Sequence, residues 1–149
     1  MSTTQAVTFI LAEETYGAPI SQIQEIVAWA TPIRIPHAPD WVEGLIDLRG
    51  TLVPVIDLRK RFGLTPSTPS PTRCVIVAQV ATQTIGLLVD AVREVAFLQA
   101  LDAVPAAAKT VRSEFLAGVG RIRDGAPLVL VVDLDRILSA DEMKALQPL

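Results

Sequence analysis

The sequence predicts an all-β fold in which two five-stranded barrels pack pseudo-symmetrically about a shared core, with one short C-terminal helix. Three observations carry this prediction. Apolar runs of strand length, rich in Val, Ile and Leu, recur along the 149 residues and are bounded by Gly, Pro and charged turn residues. The chain also repeats itself: Gly17 and Glu25 recur as Gly86 and Glu94, each 69 positions on, while Ile20, Ile23 and Ile26 recur as Val89, Val92 and Val95. Pro36 falls on Pro105, and the LVPVIDL of residues 52–58 returns as LVLVVDL at 128–134, now 76 positions on because the second copy is longer. Helix signals, finally, are concentrated at the C-terminus.

Taken in order, residues 6–12 form a β-branched and aromatic strand that turns at Glu13-Glu14 into Tyr16-Gly17. Residues 23–30 form another, after which Thr31-Pro32, Pro36 and Pro39 impose extended, irregular backbone. Residues 41–48 and 52–58 read as a hairpin about Arg49-Gly50, a turn pair without the favoured Asn-Gly or Asp-Gly signature. Pro54 removes a ladder donor, which places its strand at an edge or beside a bulge. Residues 58–62 close one helical turn, with Gly63 as its left-handed cap.

The stretch 65–72 holds three prolines among small hydroxyl residues and marks a junction. The expected organisation is one domain over 1–149, made of a first barrel (1–65), a Pro-rich junction (66–72) and a second barrel with the helix (73–149). Within the second part, residues 73–80 and 83–98 are apolar runs meeting near Ala81-Thr82, and 102–113 is an Ala-rich stretch carrying the extra length. Residues 115–122 and 128–134 form a closing hairpin whose Asp124-Gly125 is the strongest turn signal in the chain. Ser139, followed three residues later by Glu142, has the spacing of a helix capping box, and Met143 and Leu146 place apolar contacts one turn apart.

Composition excludes several classes of function. Half the residues are hydrophobic, enough for a packed interior, and a net charge of −3 argues against a nucleic-acid binder. One cysteine, Cys74 in the run CVIV, reads as a buried structural thiol and fits a reducing compartment. The N-terminal residues lack a basic segment followed by an apolar core, and no apolar run approaches the ~18 residues a bilayer requires, so the expectation is a cytoplasmic protein without direct membrane insertion. With one His and one Cys there is no zinc set and no Cys/His nucleophile pair, and neither a Gly-x-Ser-x-Gly elbow nor a phosphate loop is present. His37 sits in a rigid Pro-His-Ala-Pro turn. The expectation is therefore a protein that is not an enzyme and takes no cofactor.

Charges inside apolar runs are the remaining candidates: Glu25, Asp47, Arg49, Asp57, Asp90 and Glu94. Each is either the solvent side of a strand or half of a fixed ion pair. A Glu25–Arg49 pair is attractive because a guanidinium can hold a carboxylate with two hydrogen bonds, rigidify the seam between the halves and leave donors for a partner.

The block VEGLIDLRGTLVPVIDLR, residues 42–59, resembles the signature of the CheW family, with its G-x-x-x-L-R-G and P-v-x-D-L-R elements. Residues 9–17 and 24–26, Gly86 to Val95, and 115–118 with 132–134 are similar to the family as well, so the resemblance covers essentially the whole chain. It implies two Src-homology-3-like barrels and a non-enzymatic adaptor of bacterial chemotaxis, linking the cytoplasmic tips of methyl-accepting chemoreceptors to the histidine kinase CheA. By motif match the receptor-facing groove would comprise Ile23, Glu25, Gly44, Leu48 and Arg49, with Gly50 at the turn. The kinase face would lie largely at one end of the second barrel, and Asp57 and Asp90 either contribute to it or, the preferred reading, cap strand ends. Two other readings stand beside it: an adaptor of a different chemosensory pathway, such as twitching motility or surface sensing, and a β-barrel that binds a small ligand at its seam.

Overall fold

The structure, a computed structural model, describes residues 3–65, 68–103, 114–123 and 126–146. Its elements are β1 (Thr3–Leu11), β2 (Glu14–Pro19), β3 (Ile23–Ala28), β4 (Val42–Leu48), β5 (Thr51–Asp57), α1 (Leu58–Arg61), β6 (Cys74–Val80), β7 (Gln83–Val89), β8 (Ala91–Asp102), β9 (Leu116–Arg121), β10 (Leu128–Val132) and α2 (Ala140–Ala145). The strands form two five-stranded sheets. One closes into a barrel in the order β1-β2-β10-β9-β8, and the other runs β3-β6-β7-β5-β4.

This order corrects the expected division at residues 65 and 73. The N-terminal hairpin β1–β2 joins the three C-terminal strands, while the second sheet takes three strands from the first copy and two from the second. The chain passes between sheets through the 3-10 turn Ile20–Gln22 and again at Asp90. The Pro-rich segment connects β5 and α1 to β6 within one sheet, so it separates no domains. The expected run 83–98 is likewise broken at Asp90 into two strands that belong to different sheets.

The duplication itself appears in the pairing. Gly17 lies opposite Thr8 on one side and Val131 on the other; its repeat Gly86 lies opposite Val77 and Val55, the repeat positions of those two residues. Bulges recur in step, between Val7 and Phe9 in the β1–β8 pair and between Ile23 and Glu25 in the β3–β6 pair. Both glycines are there for space. A Cβ on Gly17 would sit 2.9 Å from Val129 Cγ1, and one on Gly86 would sit 2.7 Å from Val75 Cγ1.

Three apolar layers result. Ala6, Leu98, Val129 and Val131 fill the closed barrel, and Val55, Val75 and Val77 fill the second sheet. Between the two lies the largest core, with Phe9, Leu11, Ile76, Leu87, Leu134 and Ile137. The few aromatics concentrate there: Phe9, Tyr16, Phe62 and Phe115 form a row with centroids 6.0, 5.8 and 5.3 Å apart. Central strands such as β6 and β7 thus bury one side within their own sheet and the other against the neighbouring sheet, which is why their runs are so continuously apolar.

Several local expectations hold. Gly63 (φ +73°) ends α1, whose N-cap is Asp57, accepting from Arg59 N at 2.9 Å. Ser139 and Glu142 form the full capping box of α2. Pro54 sits in a central strand, yet one pair from the bulge between Val42 and Gly44 and just before the β5–β7 ladder begins at Val55, so no rung is lost there. Cys74 is half-buried rather than buried, and burial pushes its thiol pKa up. The Asp124-Gly125 turn, most of the 102–113 stretch and Pro66-Ser67 fall outside the described residues.

Candidate functional site

The two sheets differ in how they close. In the barrel, β8 and β9 pair at Gln99–Arg121 and Asp102–Val119. The corresponding strands of the second sheet, β3 and β4, are its two edges, and backbone joins them only beyond β3, where Ile33 and Leu45 exchange N–H···O bonds of 2.8 Å in both directions. Thr31-Pro32 interrupts the segment that would otherwise continue the ladder, since proline has no N–H to give. The edges are left without a ladder, and Val27, Ile46 and Leu48 pack on the valine core of this sheet.

Across those two edges lies the pair anticipated from sequence. Arg49 donates from Nη1 to Glu25 Oε1 at 3.0 Å and from Nη2 to Oε2, a forked contact between β3 and the β4–β5 turn. The two groups reinforce each other: the hydrogen-bonded guanidinium holds the Glu25 carboxyl below its usual range, and Glu25 raises Arg49 further. Both stay charged through the physiological range. The pair is open to solvent, with 71% of the Arg49 side chain exposed, so it adds little to stability and a partner can reach it. Its place corrects one expectation. The pair clasps the two edges of a single sheet and not the seam between the halves.

The turn that presents Arg49 is built for the purpose. Arg49 (φ +51°) and Gly50 (φ +88°) are both left-handed, the arrangement of a two-residue hairpin turn with primed geometry, and Asp47 Oδ1 accepts from Gly50 N at 2.8 Å. Gly44 (φ +140°) has backbone that favours glycine, and a Cβ there would also stand 2.2 Å from Ile33 O, in the bridge that joins the edges. Leu48 packs inside the second sheet, whereas Ile23 packs against the core between the sheets. The six residues therefore lie on β3, β4 and the β4–β5 turn, with Ile23 and Leu48 packed on different cores. Ile26, the next residue on β3, is exposed on the opposite side of the strand.

Sequence reasoning missed a second constellation. Asp90, at the crossover from β7 to β8, accepts from Arg59 Nε at 2.8 Å and Nη2 at 2.7 Å, and its Oδ2 also accepts from Ala12 N at 2.9 Å. Thr72 Oγ1 donates to the Asp90 carbonyl at 2.8 Å. The signal was an acidic residue breaking an apolar run, which is a cap only if a cation comes to meet it. Nearby, a cavity of about 360 Å³ is lined by Trp29, Lys60, Arg73 and Asp57 among others. Its charges are committed to one another: Arg59 to Asp90, Lys60 to Glu43 at 3.2 Å, and Arg73 stacked 4.7 Å over Trp29. No cluster of three or more His, Cys, Asp or Glu side chains suited to a metal occurs among the described residues. His37 is exposed in its turn.

Two sheets related by duplication, an open edge pair clasped by exposed charges, and no convergent reactive groups among the described residues define a binding module. The CheW-like domain family model matches residues 5–142. The chain is 36% identical over 137 residues to the chemotaxis protein CheW of Klebsiella aerogenes, covering 91% of this chain and 81% of that protein. It is 31% identical over 148 residues to CheW of Treponema pallidum, covering 95% and 86%. The crystal structure of the scaffolding protein TtCheW from Thermoanaerobacter tengcongensis superposes with a TM-score of 0.85 at 32% identity, over 95% of this chain and 96% of that one. The chain belongs to the CheW-like domain family and is a non-enzymatic adaptor of chemotaxis signalling. No helix among the described residues is long and apolar enough to cross a membrane.

Proposed function

We propose that this adaptor works in the cytoplasm, recruited to membrane receptor arrays, where it couples methyl-accepting chemoreceptors to the histidine kinase CheA. The receptor tip is held at the β3–β4 edge through Ile23, Glu25, Gly44, Leu48, Arg49 and Gly50. The observation that carries this reading is the exposed Glu25–Arg49 fork across the one pair of strand edges that the fold leaves without a ladder. A guanidinium already oriented by one carboxylate keeps further donors for a second acceptor. Coupling then needs no chemistry. Two partners held on one small rigid body bias each other by about 1–3 kcal/mol, and an array multiplies contacts that are weak singly.

The test is a pull-down with a receptor cytoplasmic fragment and, separately, the CheA regulatory domain. Arg49→Ala should lose most receptor capture while keeping CheA capture. Unchanged receptor capture would place the receptor elsewhere, and binding to neither partner would end the reading. The small-ligand alternative has little support, because the charged groups around the 360 Å³ cavity already satisfy one another.

A further inference from the structure

The chain crosses between the sheets twice, at repeat-equivalent places that are tied very differently. The first crossing is the turn Ile20–Gln22, and the second is Asp90, which stands 69 positions after Ser21. Asp90 gathers ties from both sheets. Arg59 of α1, which follows the open sheet's β5, reaches the carboxylate as a fork, and Ala12 N in the barrel's β1–β2 turn donates to the same carboxylate at 2.9 Å. The Asp90 N–H also donates to Ile10 O at 3.0 Å, and the Arg59 and Asp90 side chains are only 21% and 16% exposed. These are charge-assisted bonds sheltered from water, the strong kind.

The first crossing has the matching positions without the matching ties. The repeat counterparts of Arg59, Asp90 and Ala12 are Asp135, Ser21 and Ala81. Ala81 keeps the left-handed backbone of Ala12 (φ +54° against +49°), so the same turn is in place. Ser21, however, is short, uncharged and exposed. Asp135 receives Gln22 Nε2 at 3.3 Å, an exposed contact longer than an ordinary hydrogen bond. Ala81 and Asp135 instead line an open cleft of about 690 Å³ between the β6–β7 turn and α2. Apolar burial between the sheets is non-directional, whereas forked hydrogen bonds fix an angle. We infer that Arg59 and Asp90 are positioning residues for coupling: their fork sets the angle between the open sheet and the barrel, so that a partner on one sheet biases a partner on the other. This rests on the receptor reading above. β3, which carries Glu25, begins directly after the loose crossing, so the receptor edge depends on the far junction for its orientation.

Spin–spin distances in the free protein test the geometry. In a Cys74→Ser background, labels at Ile26→Cys on β3 and Val95→Cys on β8, both exposed positions, report on the two sheets. The distance distribution should be narrow. Asp90→Asn and Arg59→Lys should each broaden it about twofold well below their melting temperatures, whereas Gln22→Ala should leave it unchanged. A width that neither variant moves, or that Gln22→Ala moves equally, would overturn the inference. Coupling is read by titrating the CheA regulatory domain with and without a receptor cytoplasmic fragment. The fragment should change that affinity about 5- to 150-fold for the parent chain. Arg59→Lys should bind each partner alone as before, while the factor falls towards 1; an undiminished factor would refute the positioning role. Binding of neither partner by the parent would end the receptor reading and this role in coupling with it, and the spin distances would still decide whether the fork sets the angle.

Discussion

At the scale of single residues the clasp and the glycines make opposite kinds of demand. Arg49 contributes an exposed interaction whose value to folding is small. Arg49→Ala should therefore shift the melting temperature by only a few degrees while lowering receptor-fragment affinity at least tenfold. A lysine there should rescue only part of the affinity, since it cannot fork. Equal losses in melting and binding would refute that separation. Gly44 is the reverse case. At φ +140° and with Ile33 O 2.2 Å from any Cβ, Gly44→Ala should cost roughly 3 kcal/mol in chemical denaturation, with the loss of the Ile33–Leu45 bridge visible as faster amide exchange at both residues. The forked pair was legible in sequence because acid and base both interrupt apolar runs. The role of Gly44 was not, since nothing local announces which distant carbonyl will approach a glycine.

Among the elements, α2 is the most exposed to solution conditions. Glu142 lies partly buried, which alone would raise its pKa, but the Ser139 N–H at 2.7 Å and the Arg61 fork at 2.8 and 3.1 Å pull it below the usual carboxylate value. A folded-state pKa below the unfolded one means the contribution is complete above the unfolded value, near 4.3, and is lost as pH falls through the folded one. Acid titration should thus loosen α2 before the sheets, and Glu142→Gln should remove that early phase while lowering stability at neutral pH. Ser139→Ala should cost about 1 kcal/mol through the lost cap. Arg61 also donates to the Ile137 carbonyl at 2.7 Å and stacks 4.6 Å over Trp41, so its truncation should release α2 at all pH values. Capping signals are written within four residues, which is why this helix could be read directly.

For the molecule as a whole, the sequence carried the number of strands, the duplication and the hairpin turns, but not which strands share a sheet. A repeat whose hairpin swaps into the other half satisfies the same alternation and the same glycines as one that stays. Only the non-local pairs, such as Thr3 with Gln99, distinguish the two. Cutting the chain at the Pro-rich segment should accordingly yield two fragments that are unfolded by circular dichroism when separate and recover the fold when mixed. Independent folding of residues 1–65 would contradict the swapped arrangement. Gly86→Ala, wedged against Val75 in the middle of the second sheet, should in turn destabilise the whole chain in one transition rather than one sheet alone.

The same arrangement fixes an order of events during synthesis. All five strands of the open sheet lie between Ile23 and Val89 and have been made while the ribosome is still producing β8. The first hairpin, although born earliest, gains the partner of β1 only with β8 and the partner of β2 only with β10, so its apolar side waits longest for cover and depends most on chaperone protection.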